Sequence, residues 1–287
     1  MVVEGSHLTA AVKAHRRPGQ VWVAFSMESD ASIPALADPA VIAGFDLTMT
    51  YQRSADVWVP YLSEHLVADL LRPPAPKTAV APVARVQSNS YDRSGRNAYA
   101  AGLMRRLKVA SYGAFARTAA WPTSEEDEAP PDYFWREASH PEIDGPRPGD
   151  LRLWSGRARA AKIEVIGRHK FTLAFENSVA PDYVTEKFFD PLVAGSVPVY
   201  LGAPNVADFA PGPHSYIDTA DFSGPDDLAR YLDHLDRHDD EYQAYLAWKD
   251  DGLSDGFRRL VEGTWSRPFC RLAELVRDRL PGDDAGR

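Results

Sequence analysis

The stretch 170–202, KFTLAFENSVAPDYVTEKFFDPLVAGSVPVYLG, decides the fold. Phe171, Leu173 and Phe175 alternate with Thr172 and Ala174, the two-residue period of a strand. The apolar run stops at Glu176-Asn177-Ser178, where a parallel strand would end. A helix start is expected near Asp182 to Thr185, with Asp or Thr as N-cap, and the helix runs through Phe188, Phe189, Leu192 and Val193. Gly195 stops it, and Val197 to Leu201 is a second β-rich run closed by Gly202. Strand, helix and strand make a βαβ unit, and such sheets bind ligands beyond the carboxyl ends of their strands. Glu176, Asn177, Tyr183, Glu186 and Lys187 are therefore expected in one crevice at a helix N-terminus, which with a lysine suits a phosphate. The plainer alternative is that these polar groups only cap the helix and meet solvent.

A similar pattern recurs upstream. Val80 to Gln87 reads as a strand, residues 88–96 as a polar crossover loop, Asn97 to Leu107 as a helix and Lys108 to Tyr112 as a returning strand. Arg96 ends that loop, and by itself it reads as a paired surface arginine. Val21 to Met27 is a further strand and runs straight into Glu28-Ser29. A carboxylate there faces a cleft or is an ordinary loop glutamate. Phe45 to Tyr51 and Asp56 to Leu62 are strand-like, the latter with Pro60 near its end. A helix over Ser63 to Leu71 stops at Pro73-Pro74-Ala75-Pro76, the best linker candidate in the chain. The expected organisation is α/β with two Rossmann-like lobes facing a cleft, 1–76 and 77–287. The first 20 or so residues are the least informative.

Downstream, Ser215 to Asp218 is a brief strand, and helices are expected over Asp221 to Leu235 and Asp240 to Lys249. Terminal helices over Phe257 to Val261 and Cys270 to Leu280 are expected to pack back across both lobes. The Pro-rich segment from Ala116 to Ile143, with the acidic run Glu125 to Glu128, reads as an insertion and a solvated loop. His234 and His238 have the i,i+4 spacing of metal ligands, but with no third ligand in sight the pair reads as solvated.

Composition narrows the function classes. The 287 residues are 44% apolar and 25% charged, as in an ordinary globular protein. A net charge of -9 argues against general nucleic-acid binding. Cys270 is the only cysteine, which excludes an intramolecular disulfide and a Cys-rich zinc site. No apolar run approaches the roughly 20 residues that cross a bilayer, and the N-terminus lacks a signal pattern.

FENS followed by DYVTEKFFDPLVAGSVPVYLG resembles the signature of the α-1,3-fucosyltransferases of glycosyltransferase family 10, long, ordered and gapless. FDLTMTYQRSAD resembles a second stretch of that family, with Gln52 where an arginine is usual. The resemblance implies a GT-B fold and an inverting transfer of L-fucose from GDP-fucose to a GlcNAc-type hydroxyl, α-1,3 linked, on an oligosaccharide or glycoconjugate. It implies Glu28 as the general base, in an E-S pair where Asp30 replaces the usual proline. Arg96 and Lys187 would neutralise the diphosphate, Asn177 and Tyr183 would bind ribose, phosphate or fucose, and Glu186 would hold sugar hydroxyls. No cofactor is implied and a divalent metal would be at most stimulatory; no Asp-x-Asp flanked by apolar strand residues occurs. The resemblance also implies an incomplete N-terminal lobe, since family members begin with a longer run before the stretch at Val21. Without the anchor and disulfides of Golgi members, the chain resembles soluble bacterial ones, so a cytoplasmic location is expected, peripheral to the inner membrane if attached at all, and a Golgi one only if an N-terminal anchor is missing from this chain. The alternatives are a GT-B transferase for another nucleotide sugar and a catalytically inactive GDP-binding relative.

Overall fold

Apolar runs of four or five residues, each followed by a helix or a long loop rather than a tight turn, satisfy their backbones by parallel pairing. The computed structural model, which describes residues 1–11, 16–62, 64–121, 159–264 and 268–279, has two such sheets. The first contains β1 (Val2–Glu4), β2 (Val23–Ser26), β3 (Leu47–Thr50) and β4 (Val57–Trp58), in that spatial order. The second contains β5 (Val83–Val86), β6 (Val109–Tyr112), β7 (Phe171–Phe175), β8 (Val197–Leu201) and β9 (Ile217–Asp218), in the order β6-β5-β7-β8-β9. Every pairing is parallel. From β5 the chain goes outward to β6 and returns to the other side of β5 as β7. The winding direction therefore reverses between β5 and β7, and the ends of these two strands open a crevice.

The α-helices are α1 (Leu8–Ala11), α2 (Pro39–Ile42), α3 (Glu64–Leu70), α4 (Arg96–Met104), α5 (159–167) and α6 (Glu186–Ala194). They continue as α7 (Pro225–Arg237), α8 (Asp239–Ala244), α9 (Trp248–Asp251), α10 (Asp255–Glu262) and α11 (Pro268–Arg277). The helix expected over 240–249 is thus two short ones. Tyr242, Tyr245, Leu246 and Trp248 are all buried across the two. Strand β1 has no signal in the sequence beyond two valines. Its identity comes from pairing, with Val2 opposite Val23.

One face of the second sheet packs Phe171, Val197 and Val199 against Leu228 and Leu232 of α7. The other gathers Phe188, Phe189 and Leu192 of α6 with Tyr200, Trp248 and, from before the proline segment, Leu62, Leu66 and Leu70. Leu272, Leu275 and Val276 of α11 return to pack on Val23, Leu47, Met49 and Val57 of the first sheet. The chain therefore crosses between the two cores twice. The proline segment is pinned between them: Lys77 Nζ donates to the carbonyls of Gly167 (2.8 Å) and Gly195 (2.6 Å). Gly195 has φ +67°, and a Cβ there would stand 2.7 Å from Pro74, so glycine is required on both counts. The acidic part of the Pro-rich segment lies outside the described residues.

Candidate active site

Thr185 is the N-cap of α6, its Oγ1 accepting from the Lys187 N–H. Behind it lies Glu176, the first residue after β7 and fully buried. Its carboxylate accepts from Thr185 N (2.8 Å) and Thr185 Oγ1 (2.9 Å) and pairs with Lys187 Nζ at 3.2 Å. Burial raises the Glu176 carboxyl above its ordinary range, against Lys187 and the Thr185 bonds. Burial alone would lower the Lys187 ammonium; Glu176 and Glu186 overturn that and hold it well above its usual value. Gly202 closes the pocket around Glu176, since a Cβ there would meet Glu176 Cγ at 2.7 Å and Tyr200 Oη at 2.4 Å. Glu186 is partly exposed, 3.2 Å from Lys187 Nζ. It lines a cavity of about 260 Å³ with Tyr61, Arg159 and Asp190.

The loop after β5 folds onto this end of β7. Asp92 accepts the N–H groups of Ser94, Gly95, Arg96 and Asn97 and so organises the start of α4. Burial works against its ionisation, and these backbone bonds win, holding the Asp92 carboxyl below its ordinary value. Ser94 Oγ donates to Glu176 O (2.6 Å) and Arg93 N to Asn177 O (2.7 Å), which joins the two loops at the reversal point. Arg96 is buried, with its guanidinium donating to the carbonyls of Phe175 (3.3 Å), Asn89 (3.1 Å) and Tyr91 (2.7 Å). The resemblance implies that Arg96 meets the diphosphate. In this arrangement three N–H bonds of Arg96 already tie the loop to the strand end. The exposed cation on this loop is Arg93, which lies over the Tyr91 ring and has no ion-pair partner among the described residues. Sequence reading passed over Arg93, because only the fold turns it outward while Arg96 turns in. Two buried atoms here lack a hydrogen-bond partner, Arg96 Nε and Asn177 Oδ1.

Glu28, two residues beyond β2, reaches this region from the first sheet. It is exposed, and the Tyr183 hydroxyl donates to its Oε2 at 3.0 Å. Tyr183 is buried against Tyr51 (ring centroids 5.0 Å apart) and Tyr61 (6.3 Å), edge to face in both cases. Burial raises the phenol above its ordinary value, with Tyr61 and Glu28 adding, so Tyr183 is a donor at neutral pH. Beside it Ser32 Oγ and Ser178 Oγ bond across the cleft at 2.9 Å. Arg53 of the first lobe pairs with Asp182 (2.7 Å) and Asp208 (2.6 Å), while Asn205 and Asp182 bond mutually. Asp182 has φ +65°, a conformation that aspartate tolerates better than most residues. Asp30 and Gln52, the two departures from the family pattern, sit together, with Gln52 Nε2 3.4 Å from Asp30 Oδ2.

The site thus sets a solvent-facing carboxylate on one lobe against a capped helix N-terminus, a lysine and an exposed arginine on the other. A base and an anion-stabilising array are the two requirements of an inverting group transfer.

The fold itself has counterparts. A crystal structure of an alpha1,3-fucosyltransferase with GDP-fucose superposes with a TM-score of 0.59 at 17% identity, over 93% of this chain and 78% of that one. A fucosyltransferase-like protein of Arabidopsis thaliana is 33% identical over 274 residues, which is 94% of this chain and 46% of the relative. The GDP-fucose protein O-fucosyltransferase 3 of Bos taurus is 34% identical over 243 residues, 82% of this chain and 45% of the relative. The chain spans about half the length of the curated relatives it matches. These relatives, among them the GDP-fucose protein O-fucosyltransferase 3 of Bos taurus and of Homo sapiens, overturn the cytoplasmic expectation. That expectation rested on absent features, and absent features carry no compartment. No helix among the described residues is long and apolar enough to cross a membrane. The model for the fucosyltransferase N-terminal region matches residues 2–62, and that for the C-terminal region of glycosyltransferase family 10 (fucosyltransferase) matches 149–282. With both regions present and in order, the chain belongs to the fucosyltransferases of glycosyltransferase family 10.

Proposed function

We propose that the protein transfers L-fucose from GDP-fucose to an acceptor hydroxyl with inversion, residues 77–287 holding the donor and 1–76 facing the acceptor. The observation that carries this reading is Glu28, exposed at the end of one lobe and bonded to Tyr183, two residues before the Thr185–Lys187 helix terminus of the other. The acceptor oxygen attacks the anomeric carbon of fucose, the bond from that carbon to the β-phosphate oxygen breaks, and Glu28 takes the acceptor proton. GDP leaves with its charge met by Lys187 and the N-terminus of α6. Arg96 acts mainly by fixing the loop between β5 and α4, and Arg93 is placed to meet the diphosphate from outside. The unpartnered Asn177 Oδ1 suits a hydroxyl of ribose or fucose. Tyr183 orients Glu28, and Glu186 holds sugar hydroxyls. No metal is required in this scheme.

For the acceptor, the GlcNAc-type glycan hydroxyl with α-1,3 linkage follows from the motif resemblance. A second reading, a serine or threonine hydroxyl of a protein, is favoured by the GDP-fucose protein O-fucosyltransferases among its relatives, at 32–34% identity. Labelled GDP-fucose offered with N-acetyllactosamine acceptors and with folded protein acceptors, with and without EDTA, separates these readings. Transfer that persists in EDTA supports the scheme, and the labelled acceptor selects between glycan and protein. Absence of GDP binding by calorimetry would refute the donor site.

A further inference from the structure

At the other end of the second sheet, the fold completes a constellation that the sequence leaves open. Lys170, which leads into β7, donates to the carbonyl of Asp236 (2.8 Å), so the α7–α8 junction lies at the amino ends of the strands, away from Glu176. Here His234, in the last turn of α7, and His238, at the junction, stack their rings with centroids 3.9 Å apart and planes 22° from parallel. The third member is Glu241 of α8, whose two carboxylate oxygens both lie 3.0 Å from His234 Nε2. One ligating atom from each residue falls within 4.8 Å of the others.

We propose that His234, His238 and Glu241 bind one divalent ion of the zinc class. The donor set is two imidazoles and a carboxylate, the same types that hold zinc in three-ligand sites with water in the fourth position. A second-shell bond is already in place. His238 Nδ1 donates to the His234 carbonyl at 2.7 Å, which puts the proton on Nδ1 and leaves the Nε2 lone pair free. At His234 the Nε2–H now donates to Glu241, and the metal takes that place, the proton passing to Nδ1 or to solvent. All three side chains are exposed and free to close by the ångström or so that zinc–ligand distances of about 2.0–2.2 Å require. The ion would clip α7 to α8 and stabilise the fold, with no part in transfer chemistry.

The test is calorimetric titration of the tag-free full chain with zinc chloride, beside His234→Ala, His238→Ala and Glu241→Gln. One equivalent should bind, and each histidine variant should lose at least about tenfold in affinity. Zinc should also raise the thermal midpoint of the parent and not of the histidine variants. The metal-free midpoints of the variants should match the parent, since the substituted side chains are exposed. No saturable binding by the parent, or binding unchanged in both histidine variants, overturns the proposal. GDP binding is read on the same samples, so failure of this site and failure of the donor site are told apart.

Discussion

Two glutamates stand at equivalent places in the two sheets, Glu28 just past β2 and Glu176 just past β7, and their surroundings make them different groups. Glu176 is fully buried, accepts two bonds from Thr185 and pairs with Lys187. Glu28 is exposed and has one bond, from Tyr183. A carboxylate so enclosed cannot meet an acceptor hydroxyl, whereas one open to the cleft can. Position at a strand end brings a residue to the crevice; burial and partners then decide whether it supports the site or reacts in it.

The sharpest way to break this comparison is to remove each charge in turn. Glu28→Gln should lower kcat about 10²- to 10⁴-fold, the range for loss of a general base, while leaving GDP binding and the thermal midpoint unchanged. Steady-state kinetics with a thermal melt reads both, and full activity in this variant would remove Glu28 from the chemistry. On the other lobe, Lys187→Ala should lower turnover about 10²- to 10³-fold and also destabilise the fold by about 3–5 kcal/mol, because Glu176 is left buried and unpaired. Glu176→Gln combined with Lys187→Met should recover stability but not turnover. Recovery of both would mean that Lys187 serves only the pair.

Smaller effects test the scaffold around the two glutamates. Arg96→Ala removes a donor from three carbonyls, of which Asn89 still accepts from Gln87 Nε2, and should cost about 1–3 kcal/mol, measurable by urea unfolding, with weakened GDP affinity following from the loosened loop. Lys249 is buried, donating to the carbonyls of Leu70 and Arg72 without a carboxylate, and burial brings its ammonium down to about 8. Between about pH 8 and 10.5 the unfolded chain then holds more protons than the folded one. Stability should rise with pH across that window, by at most about 1.4 kcal/mol per pH unit from this group, and Lys249→Met should lessen the slope in pH-dependent melts, leaving the share of Lys77, whose buried ammonium is also brought down to about 8. The least effect is expected of Arg53→Ala. It opens a partly exposed clamp worth up to about 1 kcal/mol, so it should show in the acceptor KM rather than in stability.

The second lobe was readable because β7, α6 and β8 are local. Their periods, the Thr185 cap and the Gly195 stop all lie within one run of sequence, and each element came out within a residue or two of its expected place. The first lobe was harder. Strand β1 is three residues long and exists by pairing with β2, and β4 is only Val57–Trp58. The motif pointed to Arg96 and gave Arg93 no part, since periodicity does not say which way either arginine of a polar crossover turns. Asp92 and the carbonyls of Phe175, Asn89 and Tyr91 settle which one turns inward.

By itself the sequence determined the alternation of strands and helices, the parallel class, a helix terminus between Asp182 and Thr185 and the set of polar residues beyond the strand ends. Those follow from side-chain periodicity and capping, which act within a few residues. Only the tertiary structure decided that the winding reverses between β5 and β7, that Glu28 meets Tyr183 across the cleft, and that Glu241 joins His234 and His238. These depend on groups brought together from distant segments or neighbouring helices, and their distances come from packing two cores through which the chain passes twice.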